Sequence, residues 1–351
     1  MDTYKQVIRP LLFKLNPETA HHLAAVVLRH RRLSRLVTRQ GLSVQDSRLR
    51  VSLGRLTLPN PVGLGAGFDK DCEMVDALQR VGFGYIVVGS VMCDVRPGNP
   101  WPRMVRDRER EGLWSCQGLP SKGLDHAVAR LKQRTRGIVP LIINFNADDF
   151  DGYLRCTEVL QSLGDALEIS LICPNRASDE RALLDPRRVR TLLQEVLRRT
   201  GKPVFVKLPG YASDDERRER LDLVGVLIEC GVEGITLVPK LMEKHERLSM
   251  GQGALTGRPA FGKMLAMVRD IYEMTQGHCH IKASGGVFSA GDAFTAIAAG
   301  ATTVELVTGF GFEGWSIARN INQGLLRLLS ASGIESITAL RGSKTPVGAA
   351  A

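Results

Sequence analysis

No run of about 18 consecutive apolar residues occurs anywhere in these 351 residues, so no segment can cross a bilayer as a helix. The opening residues, Met1-Asp2-Thr3-Tyr4-Lys5, lack the basic start, apolar core and small-residue cleavage site of a secretory leader, in that order. A cytoplasmic location is the expectation. Cysteine is sparse and dispersed: seven residues, at 72, 93, 116, 156, 173, 230 and 279, with no C-x-x-C pair. That excludes a structural zinc site of the usual spacing and suits a reducing compartment, so no metal is expected. Aromatics make up only 5% and do not interleave with a basic stripe. The net charge of +10 therefore does not point to nucleic acid. With 44% hydrophobic and 24% charged residues, the chain is neither disordered nor fibrous.

The positive charge is concentrated at one end. Residues 1–50 carry ten Lys/Arg against three Asp/Glu, a net +7, and the other 301 residues carry only +3. This basic segment, residues 1–40, reads as two amphipathic helices. The first runs from Thr3 to Leu15, with Val7, Ile8, Leu11 and Leu12 on one face. The second opens at Asn16-Pro17-Glu18, a capping residue followed by Pro in the first turn. It continues through His21, Leu23, Ala24, Val27 and Leu28 into Arg29, Arg31, Arg32 and Arg35. Two readings stay open and are compatible. The hairpin packs on the main domain, or it docks on an anionic membrane surface at the inner face of the membrane.

From residue 60 the pattern changes. Short β-branched runs at 61–66, 85–89, 138–145, 166–171, 203–208, 234–238, 280–284 and 303–308 alternate with amphipathic segments near 70–81, 122–135, 151–163, 186–200, 214–230, 260–275, 289–299 and 314–330. Eight strand–helix units predict an α/β fold, a (β/α)8 TIM barrel over residues 41–340 with the helical extension in front. A doubly wound open sheet is the alternative. Its glycine-rich turn is matched poorly by Gly63-Leu64-Gly65-Ala66-Gly67, since no acidic ribose-binding residue follows a second strand. Residues 341–351 read as a disordered tail, with fraying expected from Ser332 onward.

In such a barrel the chemistry sits at the C-terminal strand ends. Strand 1 ends in Ala66-Gly67-Phe68-Asp69-Lys70, where glycine lets a flat ligand approach and Lys70 supplies a cation. Strand 2 ends in Gly89-Ser90, and strand 3 in Asn144-Phe145-Asn146, two amides of the same parity. Strand 4 leads through Ser170 to Cys173-Pro174-Asn175. Strand 5 carries Lys207 inside an apolar run, where a buried cation needs an anionic or electron-rich partner. Strand 7 ends in Ser284-Gly285-Gly286, and strand 8 in Thr308-Gly309. The loops after strands 7 and 8 are the usual phosphate site of this barrel. Together with Lys207 and the amides they suggest a phosphorylated planar cofactor, for which FMN fits.

Several stretches resemble the dihydroorotate dehydrogenases, in particular the membrane-associated class 2 form, over roughly residues 4–340. They are Ile8-Arg-Pro-Leu-Leu-Phe with Asn16-Pro-Glu-Thr-Ala-His21, Asn60 to Asp71, Pro97-Gly-Asn99 with Pro102-Arg103, Leu255-Thr-Gly-Arg-Pro259, and Ser284-Gly-Gly286 with Ala299-Gly-Ala301. The resemblance implies FMN contacts from Ala66, Gly67, Lys70, Ser90, Asn144, Lys207, Val238, Gly257, Gly285, Gly286, Thr308 and Gly309. It places the catalytic base at Cys173, where class 2 members carry Ser and class 1 members Cys. A thiol titrates near 8.5, far below a hydroxyl, and so takes a proton without an elaborate relay.

The chain also departs from that family. Of the asparagines that clamp the substrate, Asn175 is kept. Ser170 replaces one, the loop Ser115-Cys116-Gln117-Gly118-Leu119-Pro120 replaces a second set, and Pro239-Lys240 replaces an Asn-Thr pair. Val307 stands where the family's quinone tunnel has Tyr. Substrate contacts are expected from Lys70, Ser115, Leu119, Ser170, Asn175 and Lys240. The expectation is an FMN-dependent oxidoreductase exchanging hydride and proton at a C–C bond adjacent to a carbonyl. Its small-molecule substrate is a carboxylate or cyclic amide other than dihydroorotate, with a quinone as acceptor. The alternatives are a true dihydroorotate dehydrogenase with a compensated pocket and a catalytically silent flavin-binding protein.

Overall fold

Eight β-branched runs become the staves of a closed parallel barrel, seen in a computed structural model that describes residues 3–37, 43–135, 137–172, 183–239 and 241–343. The barrel strands are β1 (Val62–Leu64), β2 (Tyr85–Met92), β3 (Leu141–Asn146), β4 (Ala166–Ser170), β5 (Val204–Pro209), β6 (Gly234–Val238), β7 (His280–Ser284) and β8 (Thr303–Leu306). They neighbour one another in chain order, and β8 closes on β1 through the register Glu305↔Gly63. The closed ring sets aside the open-sheet alternative. Parallel strands covered on both faces must be apolar almost throughout, which is why these runs read as continuous rather than alternating. The third strand starts three residues later than expected. Ile138 stays exposed, and Pro140, with no N–H to give a ladder, offers only its carbonyl to Ile86.

Each strand is followed by a helix where the 3.6-residue period places one. Pro186–Arg199 illustrates the logic. Asp185 caps it by accepting from the Arg187 and Arg188 amides, Pro186 opens it, and Val189, Leu192, Leu193 and Val196 form the buried stripe. At roughly 1.5–3 kcal/mol per fully buried aliphatic side chain, the stripe fixes the helix to the barrel.

Two insertions were not expected. Residues 51–53 and 56–58 form a small hairpin. Four further strands, Met104–Asp107, Gly112–Ser115, Met242–Lys244 and Gln252–Gly257, make an antiparallel sheet over a core of Val105, Trp114, Cys116, Leu248 and Leu255. These segments leave the barrel after β2 and after β6, so the sheet stands at the C-terminal face, where barrel sites are built.

The extension packs on the same face. Its start is a π-helical turn, Tyr4–Ile8, followed by Arg9–Leu12 rather than one helix to Leu15. The wider turn changes which side faces inward. Tyr4 is buried, edge-on to Trp315, while Val7 and Leu11 of the apolar face are exposed at 54% and 60%. The second helix, Pro17–Arg29, is capped by Asn16 as expected, and Arg31–Val37 follows it. The two are pinned by Arg103 to Glu18 at 2.7 Å, Arg29 to Glu73 at 2.7 Å, and Arg80 to Ser34 at 3.0 Å.

At the other end, residues 332–343 do not fray as expected. Ile337 and Leu340 are buried, and the Arg341 guanidinium donates to the carbonyls of Gly300, Gly277 and Cys279. Residues 344–351, most of the expected tail, lie outside the described residues.

Candidate active site

The barrel interior is polar where it approaches the strand ends. Lys282 on β7 is fully buried between two carboxylates, with Nζ 2.5 Å from Glu168 Oε2 on β4 and 3.0 Å from Glu305 Oε1 on β8. Thr236 on β6 donates to Glu168 Oε2 at 2.7 Å, and Asn144 Nδ2 on β3 donates to Glu168 Oε1 at 2.8 Å. Tyr85 on β2 bonds Thr303 at 2.9 Å and reaches Glu305 at 3.3 Å. Burial opposes charge on Glu168 and Lys282. Burial alone would raise the Glu168 carboxyl, but the charges of Lys282 and, after it, Lys207 hold it below the usual range. The two carboxylates overcome burial in turn and raise Lys282.

Above this ion chain lie the expected contacts. Asn144 is fully buried, and its Oδ1 has no hydrogen-bond partner. Lys207 on β5 is buried beside Ser170 on one side and Thr236 on the other, and its Nζ makes no hydrogen bond or ion pair among the described residues. Asn146, the second amide of β3, is fully engaged: Nδ2 donates to the Ile172 carbonyl at 3.0 Å and Oδ1 accepts from Tyr153 Oη at 3.0 Å. Tyr153 Oη is also 3.0 Å from the Ser170 carbonyl and shares its one proton between the two acceptors, so Asn146 and Tyr153 together hold the chain as it leaves β4.

The glycine-bearing ends lie close to neighbouring backbone and side chains. Gly67 adopts φ +106°, and a Cβ there would meet nothing within 4 Å, leaving open space over β1. Its N–H donates to the Gly89 carbonyl, one residue before Ser90, at 2.7 Å. Gly286, at φ +79°, lies so close to Phe261 that a Cβ would sit 2.5 Å from its amide nitrogen. A Cβ on Gly285 would lie 3.2 Å from Pro239, and one on Gly309 2.5 Å from the Val287 carbonyl. Thr308 opens the short helix Thr308–Glu313, two residues past the end of β8. Its hydroxyl is 3.0 Å from that of Thr256, next to Gly257, so an accessory strand delivers Gly257 to the strand 8 turn. Val238 ends β6, its carbonyl taken by the Gly210 amide, and Ala66 is buried just past β1.

Lys70 folds back so that Nζ donates to the Gly67 carbonyl at 2.9 Å. Burial lowers its pKa to about 8, against the pull of Glu18 and Asp71. The second helix of the extension covers this corner. His21 stands edge-on to Phe68 with ring centroids 5.0 Å apart, and burial, then the Lys70 charge, brings its pKa to about 4. Ser170 is buried at the end of β4, in register with Lys207. Ser115 lies on the accessory sheet between Met104 and Ala254, and Leu119 follows it at φ +54° in a loop tied to the end of β2 by Ser121 Oγ accepting from the Met92 amide. Cys173, Asn175 and Lys240 lie outside the described residues.

The residues missed by sequence reading are Glu168, Thr236, Lys282 and Glu305. Three carry the signal that singled out Lys207, a charge inside an apolar strand. What the sequence did not display was that the three charges meet.

Comparison with known proteins gives this site a family. The dihydroorotate dehydrogenase family model matches residues 48–329. The chain belongs to the dihydroorotate dehydrogenase family. The dihydroorotate dehydrogenase (quinone) of Deinococcus radiodurans is 34% identical, over 95% of this chain and 98% of its own length. The enzyme of that name from Rhodococcus erythropolis is 33% identical over 97% and 99%. Among solved structures, the Eimeria tenella DHODH in complex with ferulenol superposes with a TM-score of 0.80 at 26% identity, covering 95% of this chain and 98% of that one. As a dihydroorotate dehydrogenase family member the chain is an oxidoreductase acting on CH–CH groups. Its closed eight-stranded barrel is the fold the resemblance implied.

Proposed function

We propose that this protein holds FMN at the strand ends and oxidises dihydroorotate to orotate, with a quinone as electron acceptor. The observation that carries the cofactor reading is the buried Lys207 cation together with Asn144 Oδ1, a buried acceptor, neither of which has a hydrogen-bond partner among the described residues. Both fit the polar edge of an isoalloxazine ring. The open space over Gly67 fits a flat ring, and Gly285, Gly286, Thr308 and Gly309 would hold the phosphate. When bound, FMN supplies the two-electron redox chemistry. Cys173 takes the proton next to the substrate carbonyl, and Lys70 and Asn175 orient the substrate. The relatives' names and near full-length match support dihydroorotate and a quinone.

A second reading, a different carboxylate or cyclic amide, is favoured by one feature. Ser170, the 115–120 loop and Pro239 remove amides that would bond orotate, at roughly 0.5–1.5 kcal/mol each. The exposure of Val7, Leu11, Leu15, Leu23, Val26 and Leu33 in this basic extension supports docking on an anionic membrane surface.

The test is direct. Cofactor released by acid from the purified protein should chromatograph as FMN, and the holoprotein should reduce a short-chain quinone with dihydroorotate as donor. A colourless protein that takes up no FMN contradicts the cofactor reading. An FMN protein inert to dihydroorotate favours the second substrate reading.

A further inference from the structure

An asparagine amide can present either its oxygen or its nitrogen in nearly the same volume. Which it presents is decided by its neighbours. Among the described residues, the Asn144 side chain makes one hydrogen bond, to Glu168 Oε1 at 2.8 Å. A carboxylate only accepts, so it fixes Nδ2 toward itself and leaves Oδ1 turned away, buried and unpartnered. This orientation holds only while Glu168 is ionised. A protonated carboxyl can donate, and then the amide could reverse. The ionised form is secured from the far side, where Lys282 and Thr236 both occupy Oε2, and Lys282 is itself held by Glu305. All three ions are fully buried. Such a chain is weak evidence for stability, because apolar residues of similar volume often serve as well. It does give Asn144 one defined orientation.

We propose that Glu168, locked by Lys282 and Glu305, is a positioning residue that turns the Asn144 amide oxygen into a fixed acceptor for the imide N–H of bound FMN. The inference rests on the FMN reading above. The imide N–H is the one N–H donor on the oxidised isoalloxazine ring, and Asn144 in the reverse orientation would meet it donor to donor. Lys207 and Asn144 then present the cofactor with one donor and one acceptor, and Glu168 sets the second of these without touching the ring.

The experiment uses full-length apoprotein titrated with FMN and with FMN methylated at its imide nitrogen, followed by flavin fluorescence. Wild-type protein should bind the methylated flavin at least about tenfold more weakly, since a buried acceptor is left unpaired. Glu168→Gln, which is isosteric and lets the amide choose, should weaken FMN about five- to tenfold and narrow the gap between the two flavins. In an Asn144→Ala background, Glu168→Gln should have no further effect, because the residue acts through Asn144. Equal binding of the two flavins by wild-type protein overturns the proposal without needing any variant. So does an undiminished Glu168→Gln effect in the Asn144→Ala background, which would mark the ion chain as structural. Failure of wild-type protein to bind FMN at all overturns the cofactor reading itself, and is distinguishable from both.

Discussion

Lys70 and Cys173 are the two residues whose chemistry can be read out by pH. The Lys70 ammonium, brought to about 8 by burial, is charged below that value and neutral above it. Binding of the orotate carboxylate should therefore be strong at pH 6–7 and weaken as pH rises through about 8, and Lys70→Arg should flatten the profile because guanidinium stays charged. A spectral titration of holoprotein with orotate across pH checks this, and a profile flat to pH 9.5 would separate Lys70 from the carboxylate. Cys173→Ala should keep the flavin spectrum, since other strands hold the cofactor, while flavin reduction slows by about 10²–10⁴. Cys173→Ser should be intermediate, with its activity moved to higher pH. Reduction of the Ala variant at the wild-type rate would send the proton elsewhere. At this scale, Lys70, Asn144 and Lys207 were legible because a charge or amide at a strand end has few structural uses. Glu168, Lys282 and Glu305 were not, because their meaning lies in mutual contact between β4, β7 and β8, which are far apart in sequence.

Among the elements, the barrel strands were legible and the accessory sheet was not. The strands announce themselves as β-branched runs separated by helical periods. The accessory strands are four, four, three and six residues long and half-exposed, and the central pairing of Ser115 with Ala254 joins segments more than a hundred residues apart, so no local period marks the sheet. The extension was legible as two helices, but the π turn at Tyr4–Ile8, which buries Tyr4 instead of Val7, was not. The ion chain ties β4, β7 and β8 together. Lys282→Met leaves Glu168 and Glu305 buried without a counter-ion and should cost about 3–5 kcal/mol. Urea denaturation checks it, and a midpoint unchanged from wild type would show that the carboxylates find protons or water at no cost.

The whole molecule divides its charge between a basic, partly apolar extension and a nearly neutral barrel. Sedimentation with vesicles containing acidic lipid should carry the full chain down at low salt and release part of it at high salt. A truncation beginning at Gly41 should stay in solution, and equal binding by the truncation would remove that role from the extension. The extension also covers Phe68 and the Lys70 corner, so its placement joins it to the candidate site. The central claim is that this barrel is a flavin site built for dihydroorotate despite its missing amides. Mixing the holoprotein anaerobically with dihydroorotate, without any quinone, tests it most directly. Complete bleaching of the oxidised flavin band in a single turnover is the expected result. A flavin that stays oxidised with dihydroorotate in large excess, yet bleaches with dithionite, would contradict it.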